Sequence, residues 1–387
     1  RHHGKTYHGP GLKAIGILAT SAILMVACST GGSAASSSRV AAGSPSPAAS
    51  PADSKAADFR VRLNLLLGEH VMLVAKQAVA ASNHTDEYSG YLALLSANSN
   101  SLLETMRAAF GNTAAGQIVQ AWGIQNGYLI DYTIGLVTHN DNKSNGAMSG
   151  LVNGFVPRFS QLISSLTQLS LDSVTQLESE QLANIKTVID DENAQSYAKL
   201  YADLGGAYAT SSRMGDAIAN RVAQIFPDKF PGVPSSKAVD ARVKLNTLLQ
   251  EHAYVTTMMS DAGIAGRGGE AASALIGVAG VRADLGPVMS YRLDPAARTQ
   301  FDQLWAVRDA ALFAYANASD AGARQRLTDN FVSQFSALTA TPEAAVRDQL
   351  IATLKVMDDQ RAKSFERAAN DDRAAAAAMQ PVADRIF

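Results

Sequence analysis

Leu63–His70 reads "LNLLLGEH" and Leu245–His252 reads "LNTLLQEH", the same phrase 182 positions apart and closing both times on Glu-His. Leu63, Leu67, His70 and Val74 step by 4, 3 and 4, which is one face of an α-helix, and Leu245, Leu249, His252 and Thr256 repeat it. The echo continues along the chain. "QIVQAW" (Gln117–Trp122) returns as "QFDQLW" (Gln300–Trp305) at an offset of 183, and Tyr132 and Tyr315 each lie ten residues past the Trp. "FVPRFSQL" (Phe155–Leu162) returns as "FVSQFSAL" (Phe331–Leu338) at 176, and "IDDENAQSY" (Ile189–Tyr197) as "MDDQRAKSF" (Met357–Phe365) at 168. A shrinking offset with unchanged order predicts an internal duplication whose second copy has shorter loops.

The chain has 387 residues, 47% hydrophobic and 18% charged, enough for two domains of ordinary size. No segment sustains the alternation of a half-buried strand, so the expected class is all-α. Helices are predicted at Asp58–Ala81, Tyr88–Phe110, Ala114–Thr138, Met148–Leu169, Ser173–Asp190 and Ala194–Phe226, with breaks at "GNT", "HNDNKSNG" and "LSLD". About five or six helices per copy, joined by short polar turns, make an up-and-down antiparallel bundle. The expectation is two such bundles in tandem, residues 57–227 and 238–387, joined by a Pro-rich linker at 228–237.

Arg1, Lys5 and Lys13 precede an apolar run, Ala14–Ala27, that ends at Cys28. A charged start, a short apolar stretch and small residues before a break describe a secretory signal, here residues 1–27. The run falls short of the ~20 residues that span a bilayer. "MVAC" followed by Ser29 resembles the lipobox of bacterial lipoproteins. That resemblance implies cleavage before Cys28, lipidation of its thiol, and an extracytoplasmic protein anchored to the cell membrane. Residues 28–56, rich in Ser, Ala, Gly and Pro, read as a flexible tether. The first 27 residues carry three Lys/Arg and no Asp/Glu, so without them the net charge moves from −2 to −5. No basic field exists to hold nucleic acid. The single cysteine excludes internal disulfides and Cys-based zinc sites. The membrane is thus the one partner expected, and a protein or small-molecule partner goes unnamed by the sequence.

Both histidines of the repeated phrase point to a bundle interior, while Glu69 and Glu251 are turned ~100° toward the flank. Adjacent helical residues cannot easily converge on one ion, and the Glu-x-x-His of di-iron bundles is absent. The stripe expected to face His70 carries Trp122, Gln125 and Tyr132; the stripe facing His252 carries Trp305, Arg308 and Tyr315. These eight residues are the candidate binding or buried polar set. The reading is that each imidazole bonds a buried polar group and fixes helix register, with no cofactor. The alternative is a metal- or haem-binding bundle using His70 and His252, or copper with Met72, Met258 and Met259.

The phrase "LLxEH", a Trp on a later helix and a Tyr ten residues on are similar to tandem helical repeats of uncharacterised secreted bacterial proteins. The resemblance covers both copies and implies a helical fold without a named activity. In that pattern a His often lies three residues past the Trp; Gln125 and Arg308 stand there in this chain.

Ser196 and Lys199 match the Ser-x-x-Lys spacing of penicillin-interacting serine enzymes, but no Lys-Thr-Gly or Ser-Asp-Asn accompanies them, which makes a serine hydrolase a distant third reading. "GIAGRGGE" (Gly263–Glu270) reads as a turn. Asp190, Asp191 and Glu192, echoed by Asp358 and Asp359, are expected at helix starts, where the macrodipole favours acids. The function expected is binding or envelope architecture without catalysis.

Overall fold

The computed structural model describes residues 52–318 and 321–387; the signal segment, Cys28 and nearly all of the tether lie outside the described residues. The N-terminal half runs α1 (Lys55–Ser82), α2 (Glu87–Val137), α3 (Asp141–Ser149), a π-helical turn (Gly150–Phe155), α4 (Val156–Thr167), α5 (Leu171–Asn193) and α6 (Tyr197–Ile225). The C-terminal half runs α7 (Lys237–Ile264), α8 (Gly268–Met289), α9 (Pro295–Ala318), α10 (Ala321–Gln325), a second π-helical turn (Arg326–Phe331), α11 (Val332–Thr339), α12 (Glu343–Arg361), α13 (Phe365–Ala377) and α14 (Met379–Ile386). The described residues are all-α, with no strand among them.

Local chemistry sets the helix ends. Ser54 and Ser236 begin α1 and α7 as matching N-caps, their hydroxyls accepting from the amides of Ala57 at 3.1 Å and Val239 at 3.2 Å. The "GNT" break is a kink and not a loop: α2 continues across Gly111, whose φ of +81° suits glycine alone. The C-terminal half makes a full break at the same place, with Ser290–Asp294 separating α8 from α9. "HNDNKSNG" is largely helical, because Asn140 caps α3 by accepting from the amide of Lys143. Asp190, Asp191 and Asp358, Asp359 sit at the C-terminal ends of α5 and α12, where the macrodipole disfavours acids. Side-chain partners hold them there: Tyr132 donates to Asp190 and Tyr315 to Asp358, each at 2.5 Å, and Lys199 and Lys355 pair with Asp191 and Asp359.

The periodicity predicts one buried stripe on α1 and on α7. In the structure 24 of the 28 residues of α1 and 21 of the 28 of α7 are buried. The cause is that α1 and α7 lie against each other at the centre, α1 also covered by α2, α5 and α6 and α7 by α8, α9, α12, α13 and α14. Ala49–Phe387 accordingly forms one compact unit whose principal core draws residues from both halves. The segment after α6 packs as part of it: the rings of Phe230 and Phe59 meet at a tilt with centroids 4.7 Å apart, and the amide of Ala56 donates to the Pro231 carbonyl. Gly232, at φ +105°, lets the chain pass so close that a Cβ there would stand 2.2 Å from that of Ser54. By length and composition α1 and α8 could each cross a bilayer, but the apolar window of α1 is 94% buried inside the protein.

Two arginines show how the halves meet. Arg60 on α1 bonds Asp216 on α6 at 2.7 Å and also Asp240 on α7. Arg242 on α7 bonds Asp384 on α14 at 2.9 Å and Asp58 on α1 at 2.7 Å. These are the same positions at the sequence offsets of 182 and 168, so each arginine ties one aspartate of its own half to one of the other. The same arginine–aspartate arrangement thus occurs once on α1 and once on α7.

Candidate functional site

Both histidines lie inward as the spacing predicts, His70 on α1 and His252 on α7, and both are fully buried. The His70 ring lies 4.7 Å from Trp122, centroid to centroid, and its Nε2 is 2.7 Å from Asn126 Oδ1. Asn126 donates through Nδ2 to Ser99 Oγ, so its Oδ1 accepts, and His70 carries its proton on Nε2. Gln125 donates to Glu178 at 3.0 Å beside a small void of about 10 Å³.

The second centre sets its imidazole between an indole and a carboxylate. His252 Nε2 lies 2.9 Å from Trp305 Nε1 and 3.0 Å from Asp309 Oδ1, and its Nδ1 lies 3.4 Å from Thr256 Oγ1. Asp309 and Arg282 stand where the first half has Asn126 and Ser99, at the offset of 183, and they pair at 2.9 Å. A neutral hydrogen bond in one half is thus an ion pair in the other. Arg308, the counterpart of Gln125, is buried with its guanidinium 5.1 Å from the Trp305 ring and donates to Gln349 at 3.1 Å. Burial lowers its pKa to about 10, with Asp309 opposing.

The candidate set therefore divides into two separate centres, His70–Trp122–Gln125 and His252–Trp305–Arg308, with Tyr132 and Tyr315 engaged on Asp190 and Asp358. Among the described residues no group of three or more His, Cys, Asp or Glu gathers as a metal site. Met72, Met258 and Met259 are buried core residues. Lys199, of the Ser-x-x-Lys match, is bound to Asp191 at 3.0 Å and mostly exposed.

The polar groups that the sequence did not single out lie on the seam between the halves. Glu69, expected on the helix flank, is buried and takes Arg373 Nε and Nη2 on its two oxygens, each at 2.9 Å. Asn98 donates to it at 2.8 Å and Tyr254 at 3.1 Å. Deeper in, Lys76 pairs with Asp372 at 2.6 Å, both buried, and Asp372 also accepts from Thr257 and Tyr91. Two open cavities flank this seam. One, of about 440 Å³, is lined by Arg62, Glu69, Gln250 and Arg373; the other, of about 610 Å³, lies between α6, α7 and α8 and is lined by Gly205, Lys244, Glu251 and Asp284.

Burial pushes several carboxyls upward: Glu178 to about 7, Glu87 and Glu192 to about 8, and Glu251 to about 8. In the unfolded chain such groups titrate near ~4.3. Their stabilisation is complete below that value and is lost as pH rises through the folded pKa. His70, lowered to about 4 by burial, has the opposite sign, since its contribution is complete above the unfolded histidine value of ~6.5 and is lost on acidification. His252 is also lowered by burial. Between pH ~6.5 and ~8 the histidines are silent and the carboxyls act alone, so the melting temperature falls across that interval and Glu178→Gln reduces the slope. A melting temperature that rises with pH there would contradict protonated carboxyls in the folded state.

No protein-family model, curated protein or solved structure matches this chain.

Proposed function

We propose that the chain is a non-catalytic binding protein, held outside a bacterial cell membrane by lipid on Cys28. The observation that carries the binding reading is the pair of seam cavities, each with a buried glutamate in its wall. Their volumes lie in the range of small-molecule sites. The tether reading rests on the charged start, the apolar run and the "MVAC" segment. In this reading the repeated helical phrases descend from one duplicated unit, and the buried histidines hold register between helices.

Fractionation of cells making the intact chain tests the anchor. Wild type is expected in the membrane fraction and labelled by a radioactive fatty acid, and Cys28→Ser is expected unlabelled in the soluble extracytoplasmic fraction. Persistence of Cys28→Ser in membranes would overturn lipidation as the anchor.

A further inference from the structure

Glu69 and Glu251 occupy the same position of the repeated phrase, yet their surroundings differ in one consistent way. Glu69 has three side chains donating to it: Asn98, Tyr254 and Arg373. At the offsets of the repeat, the residues around Glu251 that stand for these three are Val281, Met72 and Gly205. None of the three can donate from a side chain. Glu251 is only 6% exposed, and among the described residues its carboxylate has no hydrogen-bond or ion-pair partner. Its oxygens open into a cavity, where a ligand could supply the donors that the fold does not.

The carboxylate faces open space of a definite kind. It lines the cavity of about 610 Å³, and a Cβ placed on Gly205, beside it in the cavity wall, would lie 3.4 Å from its Oε1. The walls are small and largely apolar, with Gly206, Gly277 and Gly280 on the facing helices. Lys244 and Asp284, both exposed, stand at the edge and offer one charge of each sign. Burial raises the carboxyl to about 8, Lys244 opposing and Asp284 adding to the rise. A lone carboxylate with one distant acid supplies too few oxygens for calcium, which takes six to eight. The volume, too, is that of a small organic molecule rather than of an ion.

The other half shows what satisfies this carboxylate. There Arg373 delivers a guanidinium that grips both oxygens of Glu69 at 2.9 Å, in the bidentate geometry that matches a carboxylate. We propose that the cavity between α6, α7 and α8 binds an organic cation, a guanidinium or primary ammonium on a short aliphatic stem, with Glu251 receiving its charged head. The inference deepens the binding reading above and is independent of the lipid tether. The stem lies along the glycine- and alanine-lined wall, and the head takes the place that Arg373 fills on the other side.

Calorimetric titration of the intact chain with n-butylguanidinium, n-butylammonium and the neutral n-butylurea tests it. Both cations are expected to bind and the urea to bind at least about tenfold more weakly, the difference a charge-assisted hydrogen bond makes. Glu251→Gln should weaken the cations by about tenfold or more. Gly205→Arg, which plants on α6 the residue that α13 carries, should abolish binding and raise the melting temperature, while Gly205→Ala keeps binding. Circular dichroism confirms that each variant is folded. Equal binding of urea and cations would keep the binding reading and overturn the assignment of a cation. Cation binding that survives both Glu251→Gln and Gly205→Arg would place the site elsewhere and overturn it as well. A folded wild type that binds none of the three probes overturns both readings.

Discussion

Expressed apart, residues 52–227 and residues 238–387 are expected to remain largely unfolded, whereas the intact chain melts in one cooperative transition. The reason is the position of α1 and α7. With 24 and 21 of their 28 residues buried, neither helix has a face made for water. Cutting the chain between the halves uncovers one side of each and strands charges that are paired across the seam. Arg60 loses Asp240, Arg242 loses Asp58, Glu69 loses Arg373 and Lys76 loses Asp372. Each uncompensated charge must be rehydrated or neutralised, and apolar burial cannot offset that once the neighbouring helices are gone. Far-ultraviolet circular dichroism of the two fragments, alone and mixed, measures the outcome. Two fragments that each show full helical signal and a sharp melt would restore a picture of independent tandem bundles.

The second large effect concerns a single buried pair. Asp372→Ala is expected to destabilise the protein by ~3–5 kcal/mol, because it leaves the Lys76 ammonium inside the fold without its counter-ion. The remaining company of that ammonium, the Thr257 hydroxyl at 2.9 Å and the rings of Tyr91 and Tyr254 at 5.5 and 5.7 Å, cannot replace a carboxylate. Lys76→Met should cost less, since Asp372 keeps the Thr257 and Tyr91 hydroxyls as donors. The double variant Lys76→Met with Asp372→Asn is then expected to lose less than the sum of the single changes, with a coupling of ~1–3 kcal/mol. Urea unfolding at constant m-value reads all three. Additive losses would mean that the two side chains do not act as a pair.

The helical content and the inward direction of His70 and His252 were legible in the chain, because each follows from residues a turn or two apart. The kink at Gly111 and the helix across "HNDNKSNG" were not, since a glycine or a polar run marks weakness without saying whether the helix bends, stops or begins there. The acids of α5 and α12 were placed at the wrong helix end, because boundary cues are weaker than periodicity and their partners, Tyr132 and Tyr315, lie on other helices. One sequence signal could have located part of the buried chemistry. Aligning the two repeats shows Ser99 and Asn126 changing together to Arg282 and Asp309, which is the mark of a contact.

Sequence alone determined that this is a helical protein written twice in one phrase, with apolar faces spaced to be covered and an imidazole on each. It could not determine how many faces are covered. Helical periodicity reports which residues share a side of one rod, and it is silent on a second rod arriving from nearly 200 residues away. Only the tertiary structure laid α1 against α7 and made Glu69, on the flank of its helix, the anchor of Arg373, 304 residues distant. The same packing left Glu251 enclosed with no such partner, since a buried charge is decided by what stands opposite it and not by its neighbours along the chain.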